Sequence, residues 1–290
     1  MGEILITGGA GNLGRSLARA LRDLGHGLRI VDLPSCDFGF FDGWGETRIF
    51  AGDILDRGFL RKAVDGVDRI VHLAAILPPA SEVNRERTFR VNVEGTQSLL
   101  DAASLASSRL PTVIFASSVS VYGDTSRFEG RIGPDHPVGP NDWYAQSKAE
   151  AEEILKSSGV PYVNLRISAI VIPAFLDPPE PWPFKREQRI ELVALSDLVR
   201  AMVRLTGMEK AAGRNLIVAG GQSWQMTGGE YVRAWGDIMD IPLEEMSFLD
   251  RPGWLNWYDT RESQALLGYQ ETALEDFFIE LKAAVVEAMG

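Results

Sequence analysis

The stretch Ile4-Leu5-Ile6-Thr7, followed directly by Gly8-Gly9-Ala10-Gly11-Asn12-Leu13-Gly14, decides the fold of this chain. The first four residues are mostly apolar and β-branched, as in a strand buried on both faces of a parallel sheet. Behind the glycines, Leu13, Leu17, Ala18 and Leu21 recur at helical spacing. A second apolar run then ends at Asp32. Strand, glycine-rich turn, helix and strand in this order predict a βαβ unit.

The glycine-rich turn and Asp32 together predict a dinucleotide-binding site. Glycines at positions 8, 11 and 14 allow a sharp turn and a close approach of a pyrophosphate, and the helix N-terminus offers unpaired N–H groups. A carboxylate at the end of the second strand accepts hydrogen bonds from an adenosine ribose 2′-hydroxyl and repels a 2′-phosphate. NAD is therefore favoured over NADP. A glycine-rich turn can also serve packing alone, but the spacing of all these elements favours the cofactor.

Strand and helix patterns continue to alternate along the chain. Residues 47–51, 69–73 and 112–116 read as strands, and residues 84–106 and 142–156 as long helices. This rhythm predicts an α/β fold with a doubly wound parallel sheet, of the Rossmann type, that binds ligands at the carboxyl ends of its strands.

We expect an NAD-binding domain in residues 1–165, rejoined by residues 190–220, and a smaller substrate-binding portion in residues 166–189 and 221–290. Residues 172–183 hold five of the fifteen prolines, which excludes a regular helix or central strand and suggests a loop over the site. Residues 274–285 have the apolar spacing of a terminal helix. Five tryptophans of this C-terminal part are either core residues or stacking surfaces for a ring-shaped substrate: Trp182, Trp224, Trp235, Trp254 and Trp257.

The amino-acid composition limits the kinds of binding partner and the cellular setting that we expect for the protein. The 290 residues are 45% hydrophobic and 24% charged, enough for a substantial α/β core, and the formal charge of −11 argues against nucleic acid or an anionic membrane surface. Cys36 is the single cysteine, which excludes an intrachain disulfide and favours a cytoplasmic setting. We expect no leader, no membrane span and, because His, Cys and carboxylates do not cluster at ligand spacing, no metal site.

The chemistry is expected at Ser118, Tyr144 and Lys148. The phenol and the ammonium are four residues apart, on one face of the predicted helix, and Ser118 follows a strand. A phenol titrates near 10, so Tyr144 needs Lys148 and a nearby nicotinamide cation to stabilise its phenolate. It could then exchange a proton with a substrate hydroxyl while hydride moves, and Ser118 could hold the substrate oxygen. The alternative is an ordinary helix-surface pair.

These motifs resemble the extended short-chain dehydrogenase/reductase family, also called the NAD-dependent epimerase/dehydratase family. The resemblance covers the first two-thirds of the chain and runs through TGGAGNLG (7–14), Asp32, GDI (52–54), HLAA (72–75), NVEGT (92–96), FASSVSVYG (115–123) and YAQSK (144–148). The cofactor-binding residues expected from the turn and the resemblance are Gly8, Gly11, Asn12, Leu13, Gly14, Asp32, Asp53, Ile54, Leu73, Ala74, Ala75, Asn92, Tyr144 and Lys148.

The resemblance also implies roles. Tyr144 is the acid/base, Lys148 also holds the nicotinamide ribose, Ser118 orients the substrate, and Asn92 supports the site from the long helix. Tyr122 is either a substrate contact or a packed loop aromatic. The family further implies a homodimer formed through the two long helices.

Departures from the family pattern limit the reactions that we expect this protein to catalyse. Ser118-Val119-Ser120 replaces the Thr-Asp-Glu run of the dehydratases, so β-elimination is not expected. Residues 168–173 lack the Asn-Val-Tyr-Gly-Pro-like run of nucleotide-sugar epimerases, and Ala194 replaces a family histidine. We therefore expect an NAD-dependent oxidoreductase acting on a secondary alcohol or ketone of a small polar or sugar-like molecule. A 4-epimerase with recycled NAD and a non-catalytic dinucleotide sensor are the alternatives.

Two further residues have open interpretations. Arg189 is either a phosphate contact or a surface arginine. His72 is either packed within the fold or a catalytic base, and its place at the end of a buried strand favours packing.

Overall fold

The computed structural model describes residues 2–106, 109–208 and 211–289. Its strands are β1 (Glu3–Thr7), β2 (Gly27–Asp32), β3 (Thr47–Ala51), β4 (Arg69–His72), β5 (Thr112–Ser118), β6 (Tyr162–Ile167), β7 (Ile170–Val171), β8 (Arg189–Glu191), β9 (Val193–Ala194), β10 (Arg214–Val218) and β11 (Gln225–Thr227). Its α-helices are α1 (Asn12–Asp23), α2 (Arg57–Val64), α3 (Arg85–Phe89), α4 (Gly95–Ser104), α5 (Trp143–Ser157), α6 (Leu195–Thr206), α7 (Gly228–Met239), α8 (Arg261–Leu267) and α9 (Leu274–Met289).

The main sheet has seven strands in the order β10-β6-β5-β4-β1-β2-β3. β1 lies near the centre and pairs in parallel with β2 on one side and β4 on the other. The chain therefore builds the sheet outward from β1 in one direction and from β4 in the other. This confirms the predicted α/β fold with a doubly wound parallel sheet, in which ligands bind where the strand order reverses.

The sheet is held by an apolar core on its helix-covered faces. Leu5, Ile70 and Val113, from three neighbouring strands, are fully buried together with Leu99 of α4 and Leu155 of α5. Each such side chain contributes about 1.5–3 kcal/mol through removal from water. This burial fixes the helices that carry the candidate site against the strand ends.

The two long helices begin and end close to the predicted positions. The first starts at Arg85, with Asn84 as its N-cap, and contains a π-helical turn at Arg90–Glu94 before it ends at Ser104. The second starts at Trp143, because the Asp142 carboxylate accepts a hydrogen bond from Ala145 N at 2.7 Å. β5 runs two residues further than predicted and ends at Ser118.

The chain divides into two compact units. The first comprises residues 1–121, 140–166 and 202–215, and the second comprises residues 122–139, 167–201 and 216–290. The division that we expect from the sequence, into NAD-binding and substrate-binding portions, stays a prediction of function. Segment 122–139, which carries no sequence signal of a boundary, belongs to the second unit.

The second unit has its own small sheets and aromatic core. β8 pairs antiparallel with β11, and β7 pairs in parallel with β9. Residues 172–183 contain no helix or strand, as the prolines predict. Buried Phe277, Leu281 and Val285 confirm the predicted helical spacing of α9. Of the five tryptophans, Trp182, Trp224 and Trp235 are buried, which supports a core role for these three.

Among the helices of the described residues, none has the length and apolarity that a membrane crossing requires.

Candidate active site

The glycine-rich turn between β1 and α1 is tightly packed on one side. Gly8 has a φ of +68°, and a Cβ there would lie 2.8 Å from Ala74 N. A Cβ at Gly14 would lie 2.6 Å from Gly8 O, so α1 can approach β1 only with glycine at this position. At Gly11, by contrast, a Cβ would meet only Gly8 O, at 3.4 Å. Packing inside the protein thus explains two of the three glycines, and Gly11 leaves room for an outside group.

The N-terminus of α1 has donors to offer such a group. Gly11 is the N-cap residue, and no side chain caps the helix there. The first N–H groups of a helix have no intrahelical partners, and they carry the positive end of its dipole. This arrangement suits a pyrophosphate.

Asp32, at the end of β2, is held beside the turn. Its Oδ2 accepts a hydrogen bond from Ala10 N at 3.0 Å, and its Oδ1 accepts one from Leu33 N at 2.9 Å. The Cys36 thiol donates to Oδ1 at 3.3 Å, and burial together with this carboxylate raises the pKa of Cys36. The thiol therefore stays protonated, and Asp32 stands as an oriented acceptor at the position that the sequence predicts for ribose binding.

The other predicted cofactor residues follow the ends of β3 and β4. The Asp53 carboxylate accepts from Leu55 N at 2.9 Å, and Ile54 is buried. Leu73 N donates to Thr7 O at 3.1 Å, and Ala74 N donates to the Thr7 hydroxyl at 3.3 Å. All these residues lie at the carboxyl edge of the sheet, which is the edge that binds ligands in such folds.

Ser118, Tyr144 and Lys148 are brought together at the end of β5. The Ser118 side chain lies close enough to the Tyr144 phenol to lower the pKa of that phenol. Lys148 donates from Nζ to Ala116 O at 2.7 Å, and its Nζ lies 5.9 Å from the centre of the Tyr144 ring. The three side chains that the sequence singles out thus form one cluster, while their catalytic roles stay predictions.

The electrostatics of this cluster differ from the expectation. Burial raises the pKa of Tyr144, the Ser118 side chain lowers it, and the nearby Asp142 carboxylate raises it further, so that the net change is upward. Burial also lowers the pKa of Lys148 to about 8, against the opposing effect of Glu152. The protein alone therefore keeps Tyr144 a neutral phenol, chiefly because the phenol is buried, and Lys148 donates to Ala116 O.

Asn92 links the long helix to the helix that carries Tyr144. Its Oδ1 accepts from Ile76 N at 2.7 Å, and its Nδ2 donates to Ile76 O at 3.1 Å and to Ser147 Oγ at 2.9 Å. Ser147 in turn donates to Tyr144 O at 2.7 Å. This geometry agrees with a supporting role for Asn92.

Two carboxylates near the cluster are missing from the sequence-based site. Glu82 accepts hydrogen bonds from Trp143 N at 3.1 Å and Tyr144 N at 3.0 Å, and so fixes the first turn of α5. Nothing in the local sequence indicates this contact, because 62 residues separate Glu82 from Tyr144. Glu152 lies one turn after Lys148 on α5 and binds Arg166. The sequence feature that could have revealed Glu152 is the presence of a charged residue on the buried face of a helix.

The remaining candidate site residues are packed within the fold or hydrogen-bonded to other parts of the chain. His72 is 1% exposed and hydrogen-bonded through both ring nitrogens, and burial followed by the charge of Lys148 lowers its pKa to about 3. This confirms that His72 is a packed residue. In the second unit, Tyr122 is buried and donates to Gly133 O at 3.1 Å. A substrate role for Tyr122 stays a prediction.

Arg189 has partners within the second unit. It donates to Glu129 O, and its guanidinium lies 4.6 Å from the centre of the Trp257 ring. These contacts hold the Arg189 side chain in place, and they do not show that it binds a phosphate. In the described parts of the chain, no three His, Cys, Asp or Glu side chains are grouped as a metal ion would require.

Known proteins resemble this chain in sequence and in fold. A family model described as the NAD dependent epimerase/dehydratase family matches residues 4–180. A 3 beta-hydroxysteroid dehydrogenase/Delta 5-->4-isomerase from Mycobacterium tuberculosis is 34% identical over 168 residues, which are 55% of this chain and 44% of the relative. A D-erythronate dehydrogenase from Cupriavidus necator is 33% identical over 166 residues, 53% of this chain and 49% of the relative.

The chain spans about half the length of the curated relatives that it matches. Among solved structures, a short-chain dehydrogenase/reductase superfamily protein from Agrobacterium tumefaciens, determined with bound NAD, has a TM-score of 0.80 and 24% sequence identity. The match covers 99% of this chain and 98% of that one, so the fold is shared along nearly the whole length.

Proposed function

Because the chain belongs to the NAD dependent epimerase/dehydratase family, we propose that it is an oxidoreductase that moves hydride between NAD and a secondary alcohol or ketone. The substrate is a small polar or sugar-like molecule. The observation that carries this proposal is the cluster of Ser118, Tyr144 and Lys148 at the carboxyl edge of the sheet, in which Lys148 Nζ lies 5.9 Å from the centre of the Tyr144 ring.

NAD is the cofactor, and the protein offers groups that fit it. The uncapped N-terminus of α1 suits the pyrophosphate, the room at Gly11 lets that group reach the main chain, and Asp32 suits the adenosine ribose. Bound NAD supplies the acceptor or donor of hydride.

The protein's own residues handle the proton. In the reducing direction, the neutral phenol of Tyr144 donates its proton to the carbonyl oxygen of the substrate, and Ser118 orients that oxygen by a hydrogen bond. In the oxidising direction, Tyr144 must first lose its proton. The raised pKa of Tyr144 in the protein alone means that this step requires further positive charge, from Lys148 below about pH 8 and from the oxidised cofactor.

The first experiment is to purify the protein without added cofactor, denature it and quantify the released NAD and NADH per chain. We expect little retained cofactor and reversible NAD binding, followed by a change at 340 nm with some member of a panel of polyols, sugars and sugar acids. Tyr144→Phe is the control and should bind NAD without turnover. No binding of NAD at millimolar concentration would contradict the proposal.

Near-stoichiometric retained cofactor would instead favour a 4-epimerase, since an epimerase returns the hydride to its own substrate and keeps the nucleotide. Tight NAD binding with no turnover on any panel member would favour a dinucleotide sensor. The complete cluster of Ser118, Tyr144 and Lys148 argues against a sensor, because binding alone does not require an acid/base.

Two further proposals rest on the family. We propose a homodimer formed through the helix pair α3 and α4 together with α5, and a cytoplasmic setting consistent with the single cysteine. Light scattering on a sizing column should give twice the mass of the chain, and the mass of one chain would contradict the dimer.

A further inference from the structure

A buried series of hydrogen bonds runs from the end of β1 to the helix that carries Tyr144. Its members are Thr7, His72, Thr96, Asn92 and Ser147, each between 0% and 1% exposed, and it ends on the carbonyl oxygen of Tyr144. We call this series the His72 chain. It joins residues that are far apart in sequence and that belong to β1, β4, the π-helical turn, α4 and α5.

The direction of each bond in the first half of the His72 chain follows from one carbonyl group. The Thr96 hydroxyl donates its only proton to Asn92 O at 2.6 Å, because a carbonyl oxygen can only accept. Thr96 Oγ1 must then accept from His72 Nε2, at 2.9 Å. The other ring nitrogen, Nδ1, is left as the acceptor for the Thr7 hydroxyl at 2.7 Å. His72 is therefore held as a neutral imidazole with its proton on Nε2.

The second half of the His72 chain also has one direction. Ile76 N can only donate, so the Asn92 atom that it faces at 2.7 Å is Oδ1. The Asn92 Nδ2 then donates to Ser147 Oγ at 2.9 Å, and Ser147 donates to Tyr144 O at 2.7 Å. The π-helical turn that contains Asn92 widens the helix at this point.

The His72 chain also fixes the loop after β4. The Thr7 hydroxyl oxygen accepts from Ala74 N at 3.3 Å, and the Asn92 side chain binds both the N–H and the carbonyl of Ile76. Residues 74 to 76 and the first turn of α5 are thus attached to the same set of buried groups.

We propose that His72 is a positioning residue, which keeps Tyr144 in register with the loop after β4 through Thr96, Asn92 and Ser147. His72 touches none of the reacting atoms, and its effect on the reaction is carried by the backbone of Tyr144. This inference rests on the proposed function of Tyr144. It matters for rate because proton transfer depends steeply on placement, and a displacement of about 1 Å can cost roughly 100-fold.

The test is a matched pair at Thr96, which is neither one of the proposed catalytic residues nor one of the expected cofactor-binding residues. Thr96→Val keeps the shape and removes the hydroxyl, whereas Thr96→Ser keeps the hydroxyl. We expect kcat to fall about 10-fold or more in the valine variant, with KM for the substrate within about twofold of wild type. The serine variant should recover most of kcat. A valine variant with wild-type kcat would overturn the proposal, as would equal losses in both variants.

Two readouts do not depend on turnover. In hydrogen exchange followed by mass spectrometry, Thr96→Val should exchange faster than Thr96→Ser in peptides that cover the first turn of α5. In ¹⁵N-histidine NMR of the wild-type protein, which has three histidines, one ring should show a protonated Nε2 and a bare Nδ1 and should not titrate between pH 5 and 8. A ring at His72 that titrates near its usual pH, or that carries its proton on Nδ1, would overturn the proposal.

Failure of the proposed function and failure of the positioning role would give different results. If wild-type protein binds NAD but turns over nothing, the proposed function fails, and the exchange and NMR results decide on the His72 chain by themselves. If wild-type protein is active and the Thr96 variants do not differ, only the positioning role fails.

Discussion

Two buried carboxylates, one in each unit, are held in opposite ways. Glu152 of the first unit accepts from Arg166 Nη2 at 2.7 Å and from the Ser117 hydroxyl at 2.6 Å. Glu191 of the second unit accepts from neutral groups: Gly221 N at 2.9 Å, Gln225 Nε2 at 2.8 Å and Tyr258 N at 2.8 Å. Burial raises the pKa of each carboxyl, but the Arg166 contacts outweigh it at Glu152, whose pKa is lowered. At Glu191 burial prevails, and the pKa rises to about 7.

The difference separates two kinds of pH response. Glu152 stays ionised at neutral pH, one helical turn from Lys148, so the helix that carries Tyr144 has a constant charge beside it. Glu191 changes its charge near neutral pH within the second unit. We therefore expect reaction chemistry to depend on the first unit and the neutral-pH change in stability to depend on the second.

The largest expected effect is at Tyr144. Tyr144→Phe removes the proposed acid/base, and turnover should fall by about 100- to 10,000-fold while the Kd of NAD stays close to wild type. Tyr269→Phe is the matched control in the second unit, since the Tyr269 phenol is also buried and donates to Ala219 O at 2.7 Å. It should lower stability and leave kcat nearly unchanged. Steady-state kinetics and NAD titration of both variants check this, and equal kcat losses would break the comparison.

The second-largest expected effect is the loss of stability when the buried ion pair of the first unit, between Glu152 and Arg166, is broken. Arg166→Met leaves the Glu152 charge buried without its cation, and both side chains are at most 3% exposed. The free energy of unfolding should fall by about 3–5 kcal/mol in urea titrations at pH 7.5. The double variant Glu152→Gln/Arg166→Met should recover part of that loss because it buries no charge. A single variant as stable as wild type would mean that the pair does not hold β6 to α5.

The third effect is the pH dependence of stability from Glu191. Its pKa is raised in the folded state, so its contribution is fully present below pH 4.5, the ordinary value, and is lost as pH rises towards 7. At about 1.4 kcal/mol for each pKa unit, the free energy of unfolding should fall by about 3 kcal/mol over this window. Glu191→Gln should remove that slope. The contribution of Glu152 to stability has the opposite pH dependence. Because the pKa of Glu152 is lowered in the folded state, that contribution is present at pH values above the ordinary pKa of the group and is lost at acid pH.

Wild-type protein with no fall in stability between pH 4.5 and 7, or a Glu191→Gln variant with the same fall, would contradict this assignment. Urea titrations at four pH values across the window are sufficient to measure the slope.

The same contrast explains what the sequence could predict. The site residues of the first unit lie in contiguous motifs, such as the turn from Gly8 to Gly14 and the helical pair Tyr144 and Lys148, so local spacing reveals them. Glu82 escaped prediction because its partner is 62 residues away. Glu191 and Tyr258 are 67 residues apart and belong to short segments without periodicity. Spacing describes neighbours along one helix or strand, and it carries no information on contacts made only when distant segments meet.

The smallest expected effect concerns the helix caps of the two units. Asp142 caps α5, and Thr227 caps α7 in a capping box with Glu230. Asp142→Ala and Thr227→Ala should each cost about 1 kcal/mol of stability. Only the Asp142 change should also lower kcat, because α5 begins beside Tyr144. Thermal melts and kinetics of both variants measure this.

Asp142→Asn separates capping from charge. Asparagine keeps the acceptor for Ala145 N, so the helix start should be preserved, but it removes a carboxylate that raises the pKa of Tyr144. Alcohol oxidation requires Tyr144 without its proton, so its rate rises with pH through that pKa. With the charge gone, the pKa falls, and the rise in kcat should move to lower pH while the melting temperature stays near wild type. A profile that stays in place would mean that Asp142 acts on Tyr144 only through the helix start, as Thr227 acts on α7.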